Sequence, residues 1–335
     1  DGQLKKVGAP NSANKNVSKD YLLLELREPW NVGGVGYQAG SLLVTKFDDF
    51  MAGKKSFEIV FEPTENSSLA SYTLTRNHLI LNVLEDVKNR IYVMTATDLG
   101  WQKQPLTGAP EIGTVGLRAV DADESDAYWM TSSGYLTPTT LYYGEIGEMP
   151  EQLKQLTPLY QADGLKVSQH FATSKDGTQV PYFMVSKEDL ALDGDNPTLL
   201  YGYGGFEISL TPGYQASVGR AWTSQGGVYV VANIRGGGEY GPRWHQAALK
   251  QNRLKAYEDF AAVAEDLVKR KVTCKDRLGI QGGSNGGLLV GNMVALYPDL
   301  FSAAVCQVPL LDMKRYHLLL AGASWMAEYG NPDAP

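Results

Sequence analysis

Cysteine and histidine are scarce in this chain, which has two cysteines and four histidines among 335 residues. Two cysteines cannot build a disulfide framework, so we expect Cys274 and Cys306 to be small apolar or partly exposed side chains. The histidines stand far apart and lack the spacing of metal ligands, so the sequence predicts no structural zinc site.

Long apolar runs and an excess of basic residues are missing as well. No segment reaches the roughly 18 consecutive apolar residues of a membrane-spanning helix, so no membrane partner is expected. Lysine and arginine number 30 against 37 aspartates and glutamates, which gives a net charge of −7. A face that binds nucleic acid needs a basic excess, so nucleic acid is not expected as a partner either.

The N-terminal sequence DGQLKKVGAPNSANKN has neither an initiator methionine nor an apolar signal core. We therefore expect the chain to be the interior of a longer protein. A cytoplasmic location and a monomeric state are expected, while a periplasmic or secreted location stays open.

Residues 1–159 alternate short apolar runs with polar turns, a pattern typical of β-strands. The runs include DYLLLEL, GSLLVTKF, SFEIVFEP, ASYTLTRNHLILNVLED, RIYVMTAT, AYWMTSSG and TTLYYGEI. Similar starts recur at Tyr21, His78 and Ala127, at spacings of 57 and 49 residues. A repeat of about 50 residues suits β-propeller blades, and a β-sandwich is the alternative. About three blades fit here, and since propellers usually close with four to eight, blades outside this chain are expected.

Residues 160–335 mix strand and helix patterns. LKVSQHFATSKDGTQVPYFMV predicts a hairpin that turns at Asp176-Gly177. TLLYGYGG, GGVYVVANIRGGG, DRLGIQGG and FSAAVCQVP predict buried strands, while KAYEDFAAVAEDLVKRK and GGLLVGNMVALYP predict helices. Strands that alternate with helices indicate an α/β domain with a mainly parallel sheet and helices on both faces.

One serine lies where a nucleophile would be presented. Gly282–Gly286 reads GGSNG and satisfies G-x-S-x-G between a predicted strand and a predicted helix. The turn would strain Ser284, its glycines would let strand and helix approach closely, and the Asn285 N–H could donate to an oxyanion. An inert serine in a glycine-rich turn is the alternative. A phosphate-binding Walker loop would need Gly-Lys-Ser/Thr, which is absent.

A second glycine cluster, YGYGGF (Tyr201–Phe206), ends an earlier predicted strand. In α/β-hydrolases the corresponding loop completes the oxyanion hole, so the hydroxyl of Tyr203 is a candidate donor. A tyrosine that only packs beside a flexible loop is the alternative.

Three motifs together resemble the prolyl oligopeptidase family of serine peptidases. LLYGYGGF, ANIRGGGEYGPRWH and GGSNGGLLVG occur in this order, and the similarity extends from about Leu165 onward. The family carries a β-propeller over an α/β-hydrolase domain, and the β-rich half agrees with part of that propeller. Asn285 and Tyr240 resemble the prolyl oligopeptidases proper, whereas the related oligopeptidase B more usually has Ala and Leu there.

The resemblance implies catalytic roles. Ser284 matches the nucleophile, while the N–H of Asn285 and the hydroxyl of Tyr203 match the oxyanion hole. No metal or organic cofactor is implied.

The resemblance also implies a proline pocket. Trp325 in ASWMAEYG matches the aromatic plate on which the substrate proline stacks, and Phe206 and Tyr329 match its lining. Leu310 stands where the family usually has a smaller aliphatic residue, so a slightly tighter pocket is expected. Aromatic faces bury a flat apolar ring well.

The catalytic base is harder to place. Asp312 and His317 give the order Ser–Asp–His, but five residues cannot separate the two different loops that should carry them. His245 is expected on a surface helix or loop. The resemblance implies that the triad aspartate and histidine lie beyond Pro335.

The sequence thus predicts C-terminal propeller blades at 1–159 and an α/β-hydrolase domain at 160–335 that is incomplete. The expected activity is cleavage of short peptides on the carboxyl side of proline through an acyl-enzyme. This chain alone is expected to be a poor catalyst. Cleavage after Arg or Lys as in oligopeptidase B, acyl-peptide or ester hydrolysis, and an inert propeller scaffold are the alternatives.

Overall fold

The computed structural model describes residue 2, residues 4–110 and residues 113–334. Three four-stranded antiparallel sheets come first along the chain, and a six-stranded mixed sheet with helices follows. The predicted change from β to α/β structure is therefore present.

The first part of the chain is built from short strands. They are β1 (Asn14–Ser18), β2 (Tyr21–Glu25), β3 (Trp30–Val32), β4 (Val35–Tyr37), β5 (Leu42–Lys46), β6 (Glu58–Phe61), β7 (Ser67–Leu74), β8 (His78–Glu85), β9 (Lys88–Thr97), β10 (Gly100–Pro105), β11 (Thr114–Ala119), β12 (Ala127–Ser133), β13 (Thr140–Glu145) and β14 (Glu151–Gln155). The sheet orders are β1-β2-β5-β6, β10-β9-β8-β7 and β11-β12-β13-β14, and β3 pairs with β4 in a separate ribbon. One helical turn, α1 (Phe47–Met51), follows β5.

Strand β8 explains how the three sheets stack. Successive side chains of a strand point to opposite faces. Leu79 and Leu81 pack against Leu23 of the first sheet, while Ile80 packs against Val115 of the third. The middle sheet is therefore apolar on both faces and lies between its neighbours, as a propeller blade does.

The second part of the chain forms one sheet with its helices. The strands are β15 (Leu165–Thr173), β16 (Gln179–Lys187), β17 (Thr198–Gly202), β18 (Val228–Ala232), β19 (Leu278–Gly283) and β20 (Ala303–Gln307), and the helices are α2 (Ala216–Ala221), α3 (Pro242–Gln246), α4 (Leu254–Lys269), α5 (Asn285–Leu296) and α6 (Met326–Tyr329). The order is β15-β16-β18-β17-β19-β20. Strands β18, β17, β19 and β20 run parallel, whereas β15 and β16 form the predicted antiparallel hairpin. The predicted boundary at residues 159–160 falls between β14 and β15.

Both faces of this sheet are covered. On one face, Phe260 of α4 and Leu289 of α5 pack on Leu200. On the other, Phe183 contacts a cluster that includes Trp222, which follows α2, and Tyr135 of the β-rich part. The second face is thus buried partly by the neighbouring domain.

Polar contacts also join the two domains. The Ser68 hydroxyl donates to the carbonyl oxygen of Glu239 at 2.9 Å. The Tyr240 hydroxyl donates to Asp86 at 3.1 Å. These contacts fix the propeller edge against the loop that follows β18.

The sequence also makes predictions about the cysteines, the helix lengths and the grouping of possible metal ligands. Both cysteines are free, Cys274 partly buried and Cys306 exposed. Among the described residues, no helix is long and apolar enough to cross a bilayer. In the same part of the chain, no group of three or more His, Cys, Asp or Glu side chains is placed to hold a metal ion.

Candidate active site

Ser284 occupies the turn between β19 and α5, as the motif predicts. Its backbone has φ 58° and ψ −117°, a left-handed conformation that costs a non-glycine residue about 1–3 kcal/mol. The Ser284 N–H donates to the carbonyl oxygen of Gln307 at 3.0 Å, and its own carbonyl accepts from Leu288 N–H at 3.0 Å. The side chain is exposed, so the turn presents the hydroxyl to the space above the sheet.

The two motif glycines are sterically required. A Cβ on Gly282 would overlap the carbonyl oxygen of Gly286. A Cβ on Gly286 would come within 2.6 Å of the carbonyl oxygen of Gly202 at the end of β17. Gly283 differs, because its Cβ would meet nothing closer than 3.7 Å, an ordinary contact. Close approach of β17, β19 and α5 therefore explains the spacing of G-x-S-x-G.

Ser284 opens onto a cavity of about 320 Å³. Its lining residues are Tyr203, Phe206, Ser284, Asn285, Val308, Pro309, Leu310, Trp325 and Tyr329. All seven site residues predicted from the sequence are among them, although they come from four separate segments. Their individual roles stay predictions.

Aromatic rings form one wall of this cavity. The Phe206 and Tyr329 rings meet edge to face, with centroids 5.6 Å apart and an interplanar angle of 85°. Tyr316, which is buried, holds Tyr329 from the other side with centroids 5.6 Å apart. Trp325 ends a short 3₁₀ turn and is partly exposed at the cavity. Such a wall suits a small, flat apolar ring.

Two donors converge near the Ser284 hydroxyl. Burial raises the pKa of Tyr203, and a hydrogen bond with Ser284 opposes that rise, so the phenol stays protonated as a donor at neutral pH. Asn285 is the first residue of α5, and the N–H groups of a first helical turn have no intrahelical acceptor. The helix dipole adds partial positive charge at the same place. This arrangement can stabilise an oxyanion.

The Asn285 side chain holds the cavity walls together. Its Nδ2 donates to the carbonyl oxygen of Tyr203 at 2.6 Å. Its Oδ1 accepts hydrogen bonds from the Tyr329 hydroxyl at 2.8 Å and from the Arg253 guanidinium. A Cβ on Gly205 would overlap this amide, so the glycine cluster after β17 leaves room for it.

Arg253, Glu328 and His245 were not predicted as site residues. Glu328 is only 4% exposed and accepts hydrogen bonds from Phe206 N–H, Arg253 and His245 at 3.0, 2.8 and 2.7 Å. The prediction that His245 lies on a surface helix or loop is right about the helix but wrong about its exposure at the surface. His245 lies on α3, but its side chain is mostly buried and contacts the carboxylates of Glu328 and Glu207. The position of Glu328 directly before the pocket residue Tyr329 was the available signal.

The histidines of the chain all have partners other than Ser284. The pairs are His78 with Thr95, His170 with Ser168, His245 with Glu328, and His317 with Asp333. Asp312 accepts instead from Arg315 Nε at 2.7 Å, so Asp312 and His317 do not form a catalytic pair here.

Comparisons with known proteins agree with this geometry. A family model described as the prolyl oligopeptidase family matches residues 214–335, and one described as the prolyl oligopeptidase N-terminal beta-propeller domain matches residues 38–155. An uncharacterized peptidase of Sinorhizobium fredii is 44% identical over 314 residues, covering 92% of this chain and 43% of that protein. A prolyl endopeptidase of Elizabethkingia miricola is 40% identical over 225 residues, covering 67% and 32%.

A solved structure is also similar over almost the whole chain. The structure of a post-proline cleaving enzyme from Rickettsia typhi superposes with a TM-score of 0.91 at 35% identity, covering 99% of this chain and 49% of that one. The chain therefore spans about half the length of this enzyme, or less in the case of the two relatives above.

Proposed function

The chain belongs to the prolyl oligopeptidase family, and from this membership we propose that the whole protein is a serine peptidase that cleaves short peptides on the carboxyl side of proline. One observation carries the proposal. An exposed serine in a strained turn, a protonated tyrosine and an aromatic wall share a single cavity of about 320 Å³. The predicted division into propeller and hydrolase parts is retained.

The reaction follows from these positions. The Ser284 oxygen bonds to the carbonyl carbon of the substrate proline, and the carbonyl π electrons move to its oxygen. The Asn285 N–H and the Tyr203 hydroxyl donate to that oxyanion. Its collapse breaks the C–N bond, the departing amine takes up the proton that Ser284 lost, and water then hydrolyses the acyl-enzyme.

Ser284 needs a general base for the first step. Since none of the four histidines lines the cavity or has a hydrogen bond to Ser284 in the described structure, we assign the base to a histidine that is not among these 335 residues. Residues 1–335 alone should then turn over substrate about 10⁴- to 10⁶-fold more slowly than the whole protein.

Proline fits the cavity better than a basic residue does. A pocket for Arg or Lys needs a carboxylate in its lining, whereas the described residues that line this cavity include no aspartate or glutamate. Glu328 lies behind the wall, already paired with Arg253 and His245. Oligopeptidase B-like specificity is therefore the weaker candidate.

A fluorophosphonate probe on the whole protein separates an active serine from an inert scaffold. We expect stoichiometric labelling of Ser284, found by mass spectrometry of the digested protein, and no labelling of Ser284→Ala. An unlabelled wild type would refute the proposal in favour of the scaffold. Small esters hydrolysed far faster than proline peptides would favour an ester hydrolase.

A further inference from the structure

A mostly buried polar cluster lies directly behind the cavity wall without lining the cavity. It consists of Arg253, Glu328 and His245, and we call it the back cluster. None of the three belongs to the cavity lining. Arg253 and Glu328 contact lining residues directly, and His245 connects to them through Glu328.

Arg253 joins two parts of the wall. Its Nη1 donates to Glu328 at 2.8 Å, its Nη2 donates to the Asn285 side chain, and its guanidinium lies 5.2 Å from the centroid of the Tyr329 ring. A planar guanidinium can make these contacts at once, because its donors form a rigid fork. A single arginine thus fixes the residue after the nucleophile and one aromatic ring of the pocket.

Glu328 fixes the opposite part of the wall. Its carboxylate accepts from the backbone N–H of Phe206 at 3.0 Å. Phe206 and Glu207 have φ values of 54° and 56°, so this loop is in a left-handed conformation that needs support from its surroundings. Burial acts to raise the pKa of Glu328, but hydrogen bonds from His245 and Phe206 and the charge of Arg253 hold it below its usual value. The carboxylate is therefore ionised when it holds the loop.

We propose that Arg253 and Glu328 are positioning residues that set the width of the proline pocket by holding Phe206, Asn285 and Tyr329 in one arrangement. The proposal rests on the proposed function for its substrate. The two residues act through the wall, and neither touches the reacting atoms.

The test compares proline with alanine before the scissile bond, because pocket width affects a ring more than a methyl group. In the whole protein, Arg253→Ala and Glu328→Ala should lower kcat/KM for a proline p-nitroanilide peptide by about 10- to 100-fold. For the same peptide with alanine in place of proline, the loss of kcat/KM should be several-fold smaller. Glu328→Gln should retain most of the proline preference, because its amide oxygen accepts the same bonds from Phe206 and Arg253. Arg253→Lys should have a proline preference between those of the wild type and Arg253→Ala, because one ammonium group cannot span both Glu328 and Asn285.

Asp266→Ala is the matched control. Asp266 accepts from the Tyr182 hydroxyl and from Arg270 Nε, both at 2.7 Å, in the last turns of α4 and about 20 Å along that helix from Arg253. It should lower the melting temperature without changing the proline-to-alanine ratio. The proposal is overturned if the Arg253 and Glu328 variants keep the wild-type ratio of kcat/KM for the proline peptide to kcat/KM for the alanine peptide, whether or not both activities fall.

A measurement without turnover keeps this proposal separate from the proposed function. Amide hydrogen exchange of residues 203–209 should speed up in Arg253→Lys and Arg253→Ala but not in Asp266→Ala. If the wild type cleaves no proline peptide and this exchange still rises, the positioning role stands and the proposed substrate is wrong. Unchanged exchange in both Arg253 variants would overturn the positioning role itself.

Discussion

At the residue scale, Tyr203 and Ser284 were predictable because each stands in a short motif whose steric reason is local. Glycines flank both, and the sequence alone places both after strands of the α/β half. Arg253 and Glu328 lie 75 positions apart and meet only through the fold. Only the position of Glu328 beside Tyr329 marks it in the sequence, and nothing local marks Arg253, so their pairing could not be found without the structure.

Tyr203→Phe tests the second oxyanion donor. Losing one such donor typically costs about 10²- to 10³-fold in kcat. We expect a loss of that size in the whole protein with a nearly unchanged KM for a proline peptide, because the hydroxyl acts on the transition state. Steady-state kinetics measure both constants. A KM effect with unchanged kcat would instead make Tyr203 a substrate-binding residue.

Gly282 and Gly283 form a matched pair for the nucleophile turn. Gly282→Ala should destabilise the protein by about 1–3 kcal/mol or more, because its Cβ overlaps a backbone oxygen that cannot move freely. Gly283→Ala should cost much less, since its nearest neighbour would be 3.7 Å away. Thermal unfolding of both variants measures the difference. Equal stability would mean that the turn relaxes readily.

Glu239 predicts a pH dependence of stability. Burial raises its pKa to about 7, although Leu210 N–H and Asn233 Nδ2 donate to the carboxylate. Its contribution to stability is fully present below the ordinary pKa near 4.5 and is lost as the pH rises through about 7. Glu239→Gln, which has no such proton, should lose less stability than the wild type between about pH 5 and pH 8, by on the order of 3 kcal/mol. Parallel stability curves over that range would contradict this.

At the element scale, the sequence predicts the strands and helices that alternate clearly. The hairpin of β15 and β16 has its Gly177 at φ 90°, as an Asp-Gly turn requires, and α4 covers all but the last two residues of the predicted helix. The choice between propeller and sandwich depended on which sheets stack. That is a long-range property, and the burial of β8 on both faces decides it.

Strand β8 therefore carries a prediction of its own. Ile80 and Leu81 point to opposite faces and both are fully buried, so each alanine substitution should cost about 2–5 kcal/mol. Leu153 on edge strand β14 is 42% exposed, and Leu153→Ala should change stability by no more than about 0.5 kcal/mol. Thermal unfolding compares the three. A small cost at either Ile80 or Leu81 would show that one face of the middle sheet is not tightly packed.

At the scale of the whole molecule, the candidate site lies where the two domains meet. Glu207 follows Phe206 of the cavity and forms an ion pair with Arg27 of the β-rich part. His245 links Glu207 to Glu328 of the back cluster. The propeller is thus connected to the candidate pocket by a continuous set of polar contacts through Glu207, His245 and Glu328. The expected monomeric state and cytoplasmic location stay predictions.

We propose that the whole protein cleaves peptides after proline with Ser284 in its aromatic cavity. The most direct test incubates the whole protein with a short peptide containing one proline, one arginine and one alanine, and identifies the products by mass spectrometry. We expect a single cut on the carboxyl side of proline and no cut by Ser284→Ala. Cleavage after arginine, or cleavage by Ser284→Ala, would contradict it.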